Sequence, residues 1–244
     1  MHRFFVTADS ITGPTVELTP QQAHQIRNVL RLAPPDRIIV FDNTGFEYEA
    51  ELTTLHQHKL HARILHKRPV NTEPDTKLTL MPSLLPREKF EHILQKCTEV
   101  GVSRFLPIVT RRSLIKDPKI KTAKLTRWRK IITEAAEQSH RGRIPHLAAP
   151  VTFTDATHRF ADFDTVLLAW PRAENHDLRN ILPPNNPAKI ALLIGPEGDF
   201  TNDEVTAARQ KGAVPFSLGP RILRTETAAV VASALILYQC RQTT

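Results

Sequence analysis

Apolar positions along the chain change their spacing near residue 70. Before that point they alternate with polar ones, the period of half-buried strands. Arg37-Ile38-Ile39-Val40-Phe41 is one run; Phe46, Tyr48, Ala50 and Leu52 mark the next; Leu60, Ala62 and Ile64 a third. Asn43-Thr44-Gly45 between the first two is a hairpin turn signal. Ahead of them, Pro20 to Leu32 carries Ala23, Ile26, Val29 and Leu30 at helical spacing. This pattern predicts a small β-barrel with one appended helix. The polar stretch Arg68 to Asp75, broken by Pro69 and Pro74, reads as a linker. It divides the chain into expected domains 1–72 and 73–244.

Beyond the linker, short apolar runs alternate with longer segments of helical period. Leu78 to Met81, Phe105 to Val109, Val166 to Ala169, Ile190 to Ile194 and Val214 to Leu218 are the strand candidates. The helices are expected at Arg87 to Val100, Lys124 to Ser139, Asp203 to Lys211 and Glu226 to Gln239. Strand–helix alternation of this kind predicts an α/β domain, a mostly parallel sheet covered on both faces. No internal repeat and no low-complexity tract interrupts it.

Composition narrows the setting. The 244 residues are 41% hydrophobic, enough for a sizeable core. No apolar run approaches the ~20 residues of a membrane helix, and Met1-His2-Arg3-Phe4-Phe5 begins no secretory signal. Two cysteines, Cys97 and Cys240, are too few for a disulfide framework; Cys97 lies on an apolar helix face and is expected in the core. A cytoplasmic protein is the economical reading. His56, His58 and His61 lack the neighbouring ligands of a metal site, so no metal is expected. The net charge of +8 is concentrated: residues 76–150 hold 16 Lys and Arg against 6 Asp and Glu, while each flank is close to neutral. A basic block beside neutral flanks points to a polyanionic partner, more so than to a merely solvated face. Aromatic residues are sparse within it, so stacking on single strands is not indicated.

Two strand ends are unusual. "LLIGPEGDF", Leu192 to Phe200, stops an apolar run at Gly195-Pro196; "SLGPRILRTETAAVVASALI", Ser217 to Ile236, does the same at Gly219-Pro220. Neither has the spacing of a phosphate loop. Glycine admits a ligand close to the backbone, proline stiffens the bend, and main-chain groups there can read an adenine edge. On local spacing alone, a plain chain reversal explains each pair equally well. Thr225 is expected to cap the helix that follows. Ala228 to Leu237 is apolar nearly all round, so that helix should be buried within the domain or against a second subunit. Arg224 and Glu226, next to so apolar a helix, are costly unless paired or functional.

With these motifs the chain resembles the small-subunit ribosomal RNA uridine-N3 methyltransferases, the RsmE family of the SPOUT class. The resemblance rests on Leu193 to Gly198 and Leu218 to Ala228. It is supported by Gln95-Lys96 with Glu99 to Val102, Glu137-Gln138-Ser139 with Arg141, Arg143 and Pro145, and Val29-Leu30-Arg31 with Phe41-Asp42. It implies a PUA-like RNA-binding barrel followed by an α/β domain with a deep trefoil knot, an exception to the rule against threaded chains. It also implies a homodimer formed through the knot domain, acting on 16S ribosomal RNA or the small ribosomal subunit. S-adenosylmethionine would lie against Leu168, Ala169 and the stretch Ile194, Gly195, Pro196, Glu197 and Gly198. The other wall would be Leu218, Gly219, Ile222, Leu223, Thr225, Thr227 and Ala228. Arg31, Arg112, Gln138, Arg141, Arg143 and Arg172 would meet RNA. The sequence departs from the family at Asp199 and Asn43, where glycines are usual, at Pro34-Pro35-Asp36, which lacks a glycine before the Asp, and at Arg111, which replaces a frequent acidic residue.

The chemistry such a site needs is simple to state. Uracil N3 must lose its proton and align with the methyl donor. Arg224 is the candidate to stabilise the resulting anion, with Glu226 and Glu197 as weaker candidates for an orienting or basic role. Glu197 could equally cap backbone N–H groups. Two other classes stay open at this stage: a non-catalytic RNA-binding module, and a SPOUT enzyme marking ribose or tRNA guanine.

Overall fold

A computed structural model describes residues 1–56, 59–173, 178–182 and 188–240; His58 lies outside them. The chain forms two compact units, Met1–Glu73 with Ala136–Ile144, and Pro74–Ala135 with Pro145–Thr244.

The first unit begins with β1 (Arg3–Phe5), β2 (Ile11–Thr12), β3 (Thr15–Leu18) and α1 (Pro20–His24). A reciprocal capping box between Thr19 and Gln22, with Pro20 in the first turn, starts α1. The expected helix to Leu32 widens instead: after His24 the backbone runs as a π turn over Gln25–Val29, and the helical run stops there. β4 (Arg37–Phe41), β5 (Phe46–His56) and β6 (Lys59–Pro69) complete a sheet ordered β1-β4-β5-β6-β3-β2, antiparallel except for β1 with β4. β6 extends through Pro69, so the polar connector is shorter than its composition indicated. Alternate residues of these strands, among them Val16, Ile38, Val40, Ala50, Leu60 and Ala62, meet Ala23 and Ile26 in one core. The opposite face buries Phe5, Ile39 and Phe41 against Ala136, with Val70 and Ile144 at the edge.

The second unit opens with β7 (Lys77–Pro82), α2 (Arg87–Val100), β8 (Arg104–Phe105), β9 (Ile108–Val109) and α3 (Thr122–Gln138), whose last turn belongs to the first unit. The single strand expected over Phe105 to Val109 is two. Pro107 has no N–H for a ladder, so β8 pairs with β7 while β9 turns away to join β11. Next come β10 (His146–Leu147), β11 (Val151–Thr152), α4 (Phe153–Thr157), β12 (Thr165–Ala169) and α5 (Leu178–Ile181). β13 (Lys189–Ile194), α6 (Asn202–Gln210), β14 (Ala213–Phe216) and α7 (Thr225–Gln239) complete the unit. The main sheet, β10-β8-β7-β13-β12-β14, is parallel throughout. One face is covered by α4 and α6 through Phe153, Ala156, Val205 and Ala208 over Leu168 and Leu193. α7 covers the other, packing on β7, β13 and α2. α2 ends at Gly101 (φ 119°), where a Cβ would stand 2.9 Å from the Pro74 ring. α6 starts on a Thr201–Glu204 capping box.

Two expectations for α7 change. The capping residue is Arg224, whose side chain makes no cap hydrogen bond, and Thr225 is already the first helical residue, buried at 5% exposure. Only one face of the helix is covered: Ala229, Ala232, Ser233, Ile236 and Leu237 are buried, whereas Leu235 is 46% and Tyr238 74% exposed.

Candidate active site

Three neighbouring parallel strands, β13, β12 and β14, end side by side, and their outgoing loops enclose a cavity of about 260 Å³. Strand carboxyl ends are where open α/β sheets place ligands. β12 contributes Ala169, Trp170 and Pro171; β13 leads into Ile194, Gly195, Pro196, Glu197 and Asp199; β14 leads into Ser217 to Gly219 and Arg221 to Leu223. Arg224, Thr225 and Ala228, at the start of α7, close the wall.

Each bend is built by identifiable contacts. Gly195 is required by packing, since a Cβ there would sit 3.2 Å from the Phe200 ring. Gly219 is required by conformation: its φ is 105° and its Cβ position faces open space. Ser217 ties that second bend, accepting from the Gly219 N–H at 3.2 Å. Asp199 closes the first as a turn, its N–H donating to Pro196 O at 2.9 Å with φ at 62°. Asp tolerates that left-handed conformation, which explains how it stands where a glycine is usual.

Of the residues expected to hold a cofactor, all line the cavity except three. Leu168 is fully buried in the sheet one residue short of it, Gly198 is packed beneath Arg112, and Thr227 points to the exposed side of α7. Trp170, Pro171, Asp199, Ser217 and Arg221 also line the cavity and were not expected on this wall. For the first two the signal was available, as Trp170-Pro171 leaves a strand end in the same manner as the two Gly-Pro pairs.

The charged groups are arranged unevenly. Arg224 and Glu197 line the cavity, and Glu226 stands behind the wall with one carboxylate oxygen buried and, among the described residues, without a hydrogen-bond partner. Lys89 of α2 donates to Glu197 Oε1 at 2.8 Å. This bond holds the Glu197 carboxyl below its ordinary range, against a smaller opposing effect of burial. Lys89 in turn is raised, chiefly by Glu197. Nothing in the local pattern of α2 indicates this role, because the pair spans more than a hundred positions of sequence. Arg112 donates to the Gly198 carbonyl at 2.8 Å, fastening the outer side of the first bend. Arg111 bridges to Asp203 at 2.8 Å, away from the cavity.

The remaining residues expected to meet RNA divide. Arg31, Gln138, Arg143 and Arg172 are exposed. Arg141 is not: at 3% exposure it forks onto Glu73, with Nη2 2.6 Å from Oε2 and Nε 3.2 Å from Oε1. A buried, bidentate arginine of this kind is a structural clamp within the chain. Arg143 keeps an exposed side chain while bonding Thr44 O at 2.6 Å. Among the described residues no group of His, Cys, Asp and Glu is placed to hold a metal ion, and no helix is long and apolar enough to cross a membrane.

Known proteins share this arrangement. Residues 72–237 match the family described as an RNA methyltransferase domain, and residues 18–65 match an RNA methyltransferase PUA domain. The chain belongs to this RNA methyltransferase family. Among its relatives, the ribosomal RNA small subunit methyltransferase E of Synechocystis is 39% identical, over 96% of this chain and 77% of that protein. That of Bacillus subtilis is 35% identical over 98% and 97%. The crystal structure of ribosomal RNA small subunit methyltransferase E from Neisseria gonorrhoeae, bound to S-adenosyl methionine, superposes with a TM-score of 0.88 at 30% identity, covering 98% of this chain and 97% of that one. A putative methyltransferase from Legionella pneumophila, also with the bound cofactor, gives 0.87 at 31% identity over 97% and 96%. The PUA-like unit and the parallel α/β unit described above are therefore the two halves of an RNA methyltransferase.

Proposed function

We propose that the cavity holds S-adenosylmethionine and that the enzyme methylates N3 of a uridine in 16S ribosomal RNA. The observation that carries this reading is the meeting of three strand-end loops, two of them Gly-Pro bends, around one cavity with Arg224 on its wall. The residues suit a nucleoside better than a phosphate: the lining is largely backbone, proline and aliphatic side chain, and its two arginines, Arg221 and Arg224, are offset by the carboxylates Glu197 and Asp199. The adenosine would be gripped by main-chain groups of Ile194 to Glu197 and Leu218 to Leu223.

The bound cofactor supplies a methyl group already activated on a positive sulfur. What remains for the protein is to position uracil and to favour its anion. Ordering the two reactants contributes the larger part, ~7–11 kcal/mol in favourable cases. Arg224 stabilises negative charge spreading from N3 onto the uracil carbonyl oxygens. Glu197, held ionised by Lys89, is a poor proton acceptor and instead fixes the Lys89 ammonium at the cavity mouth. Glu226, with a buried oxygen that lacks a hydrogen-bond partner among the described residues, is the better candidate to orient Arg224 or to take the proton.

The PUA-like unit, residues 1–72 on the sequence division with the returning segment 136–144, binds RNA through Arg31, Gln138 and Arg143, and the methyltransferase unit carries its own RNA contacts at Arg112 and Arg172. The methyltransferase unit forms a homodimer through the exposed stripe of α7. With ribosomal RNA as its substrate, the enzyme works in the cytoplasm.

Mass spectrometry of ribosomal RNA incubated with protein and labelled cofactor tests this. N3-methyluridine is the expected product; label on ribose or guanine reassigns the target, and a protein that binds no cofactor is an RNA-binding module. Arg224→Ala should lower turnover by roughly 10²–10³-fold while leaving the melting temperature unchanged.

A further inference from the structure

The cavity wall contains a carboxylate that the reaction as proposed does not use. Asp199 lines the cavity, half-buried, at the end of the first bend. One of its oxygens, Oδ1, accepts the Phe200 N–H at 2.8 Å and lies 3.4 Å from where a Cβ on Gly195 would be. The carboxylate thus sits low against the strand end, over the glycine, and its other oxygen has no hydrogen-bond partner among the described residues. The neighbouring carboxylate, Glu197, is already neutralised by Lys89; among the described residues Asp199 makes no ion pair. Arg112 and Arg172 act on it only at a distance, and burial pushes its pKa up despite them. A fixed, partly desolvated carboxylate is costly in an empty cavity and becomes favourable when a cation enters.

Resting on the cofactor reading above, we infer that Asp199 is a specificity residue that distinguishes the positively charged methyl donor from its demethylated product. The donor, S-adenosylmethionine, carries a sulfonium; the product, S-adenosylhomocysteine, has a neutral thioether at the same place. Both retain the amino-acid ammonium and carboxylate, so only the sulfur separates them. An ammonium is satisfied by hydrogen-bond acceptors and by water at the mouth. A sulfonium donates no hydrogen bond and gains only from a nearby negative field, which is what Asp199 offers. The preference promotes exchange of product for fresh donor. Because it acts on the ground state, its removal should raise KM for the donor without lowering kcat.

Calorimetry with S-adenosylmethionine and S-adenosylhomocysteine on wild type, Asp199→Asn and Asp199→Gly tests the idea. Both replacements tolerate the left-handed backbone of this position, so the bend should survive in at least one. Donor binding should weaken about tenfold, the scale of one partly screened charge pair, while product binding shifts less than about twofold. Equal losses for the two ligands in both variants, or no loss for either, would overturn the assignment with the cofactor reading intact. A wild-type protein that binds neither ligand would instead overturn the cofactor reading, and this inference with it.

Discussion

Asp42 closes the β4–β5 hairpin almost alone. Its Oδ1 accepts the Thr44 N–H at 2.8 Å and the Thr44 hydroxyl at 2.7 Å, and its Oδ2 accepts the Tyr48 hydroxyl at 2.8 Å. Burial acts to raise its pKa, yet these donors outweigh it and hold the carboxyl below the ordinary range. Asp42→Ala should therefore cost about 2–3 kcal/mol, the desolvation left when buried donors lose a charged acceptor, read from urea unfolding of the full chain. The folded pKa is the depressed one, so this stabilisation is complete above the ordinary carboxylate value near pH ~4. It is lost as pH falls through the lowered value. The variant's deficit should then be constant at neutral pH and shrink only in acid; a deficit that persists in acid would contradict the charged-acceptor account. The turn was legible in the sequence, since Asn43-Thr44-Gly45 after an apolar run is turn chemistry. Asn43 occupies a left-handed position with φ 61° and accepts the Ile144 N–H on its side chain. Asn43 and Asp199 both stand where glycine is usual, and both take the positive φ that glycine would have supplied. Arg141 was not legible, because whether an arginine faces RNA or a buried carboxylate depends on a partner, Glu73, far away in sequence.

At the scale of elements, periodicity located most helices and strands of the second unit to within a residue or two, but it could not say which side of α7 is covered. The sequence of α7 is apolar nearly all round, and such a helix has no inner or outer face until neighbours are placed. α2, β7 and β13 take the face of Ala229, Ala232, Ser233 and Ile236. Leu235 and Tyr238 remain outside, 46% and 74% exposed, with Ala234 beside them. An apolar stripe left on so small-sided a helix fits a second copy of the same helix. Leu235→Glu with Tyr238→Glu should convert the proposed dimer to a monomer in sedimentation at micromolar concentration, with unchanged helix content by circular dichroism. A doubly substituted protein that still sediments as a dimer would move the interface away from α7. The split of β8 from β9 falls at Pro107, which has no N–H to give to a ladder.

For the whole molecule, the division near residue 72 describes the chain in order, whereas packing is not sequential. Ala136–Ile144 returns to the first unit. Ala136 is buried with Phe5, Ile39 and Phe41, and the Phe5 N–H donates to Glu137 Oε1 at 2.8 Å. Arg141 clamps Glu73, and Ile144 N–H meets Asn43. Part of the basic block of residues 76–150 thus belongs to the PUA-like unit, a fact that charge counting along the chain cannot reveal. It follows that residues 1–73 alone should fold poorly. Without the returning segment, Phe5 and Phe41, tilted against each other with ring centres 5.0 Å apart, lose their cover. Each buried aromatic contributes about 1.5–3 kcal/mol, a large share of the stability available to so small a unit. The isolated fragment should bind a hydrophobic dye and unfold at lower urea than the same unit within the intact protein. Supplying residues 136–144 through a flexible linker should restore a cooperative transition. A bare fragment as stable as the unit in the full chain would mean that the returning segment rests on a core already complete.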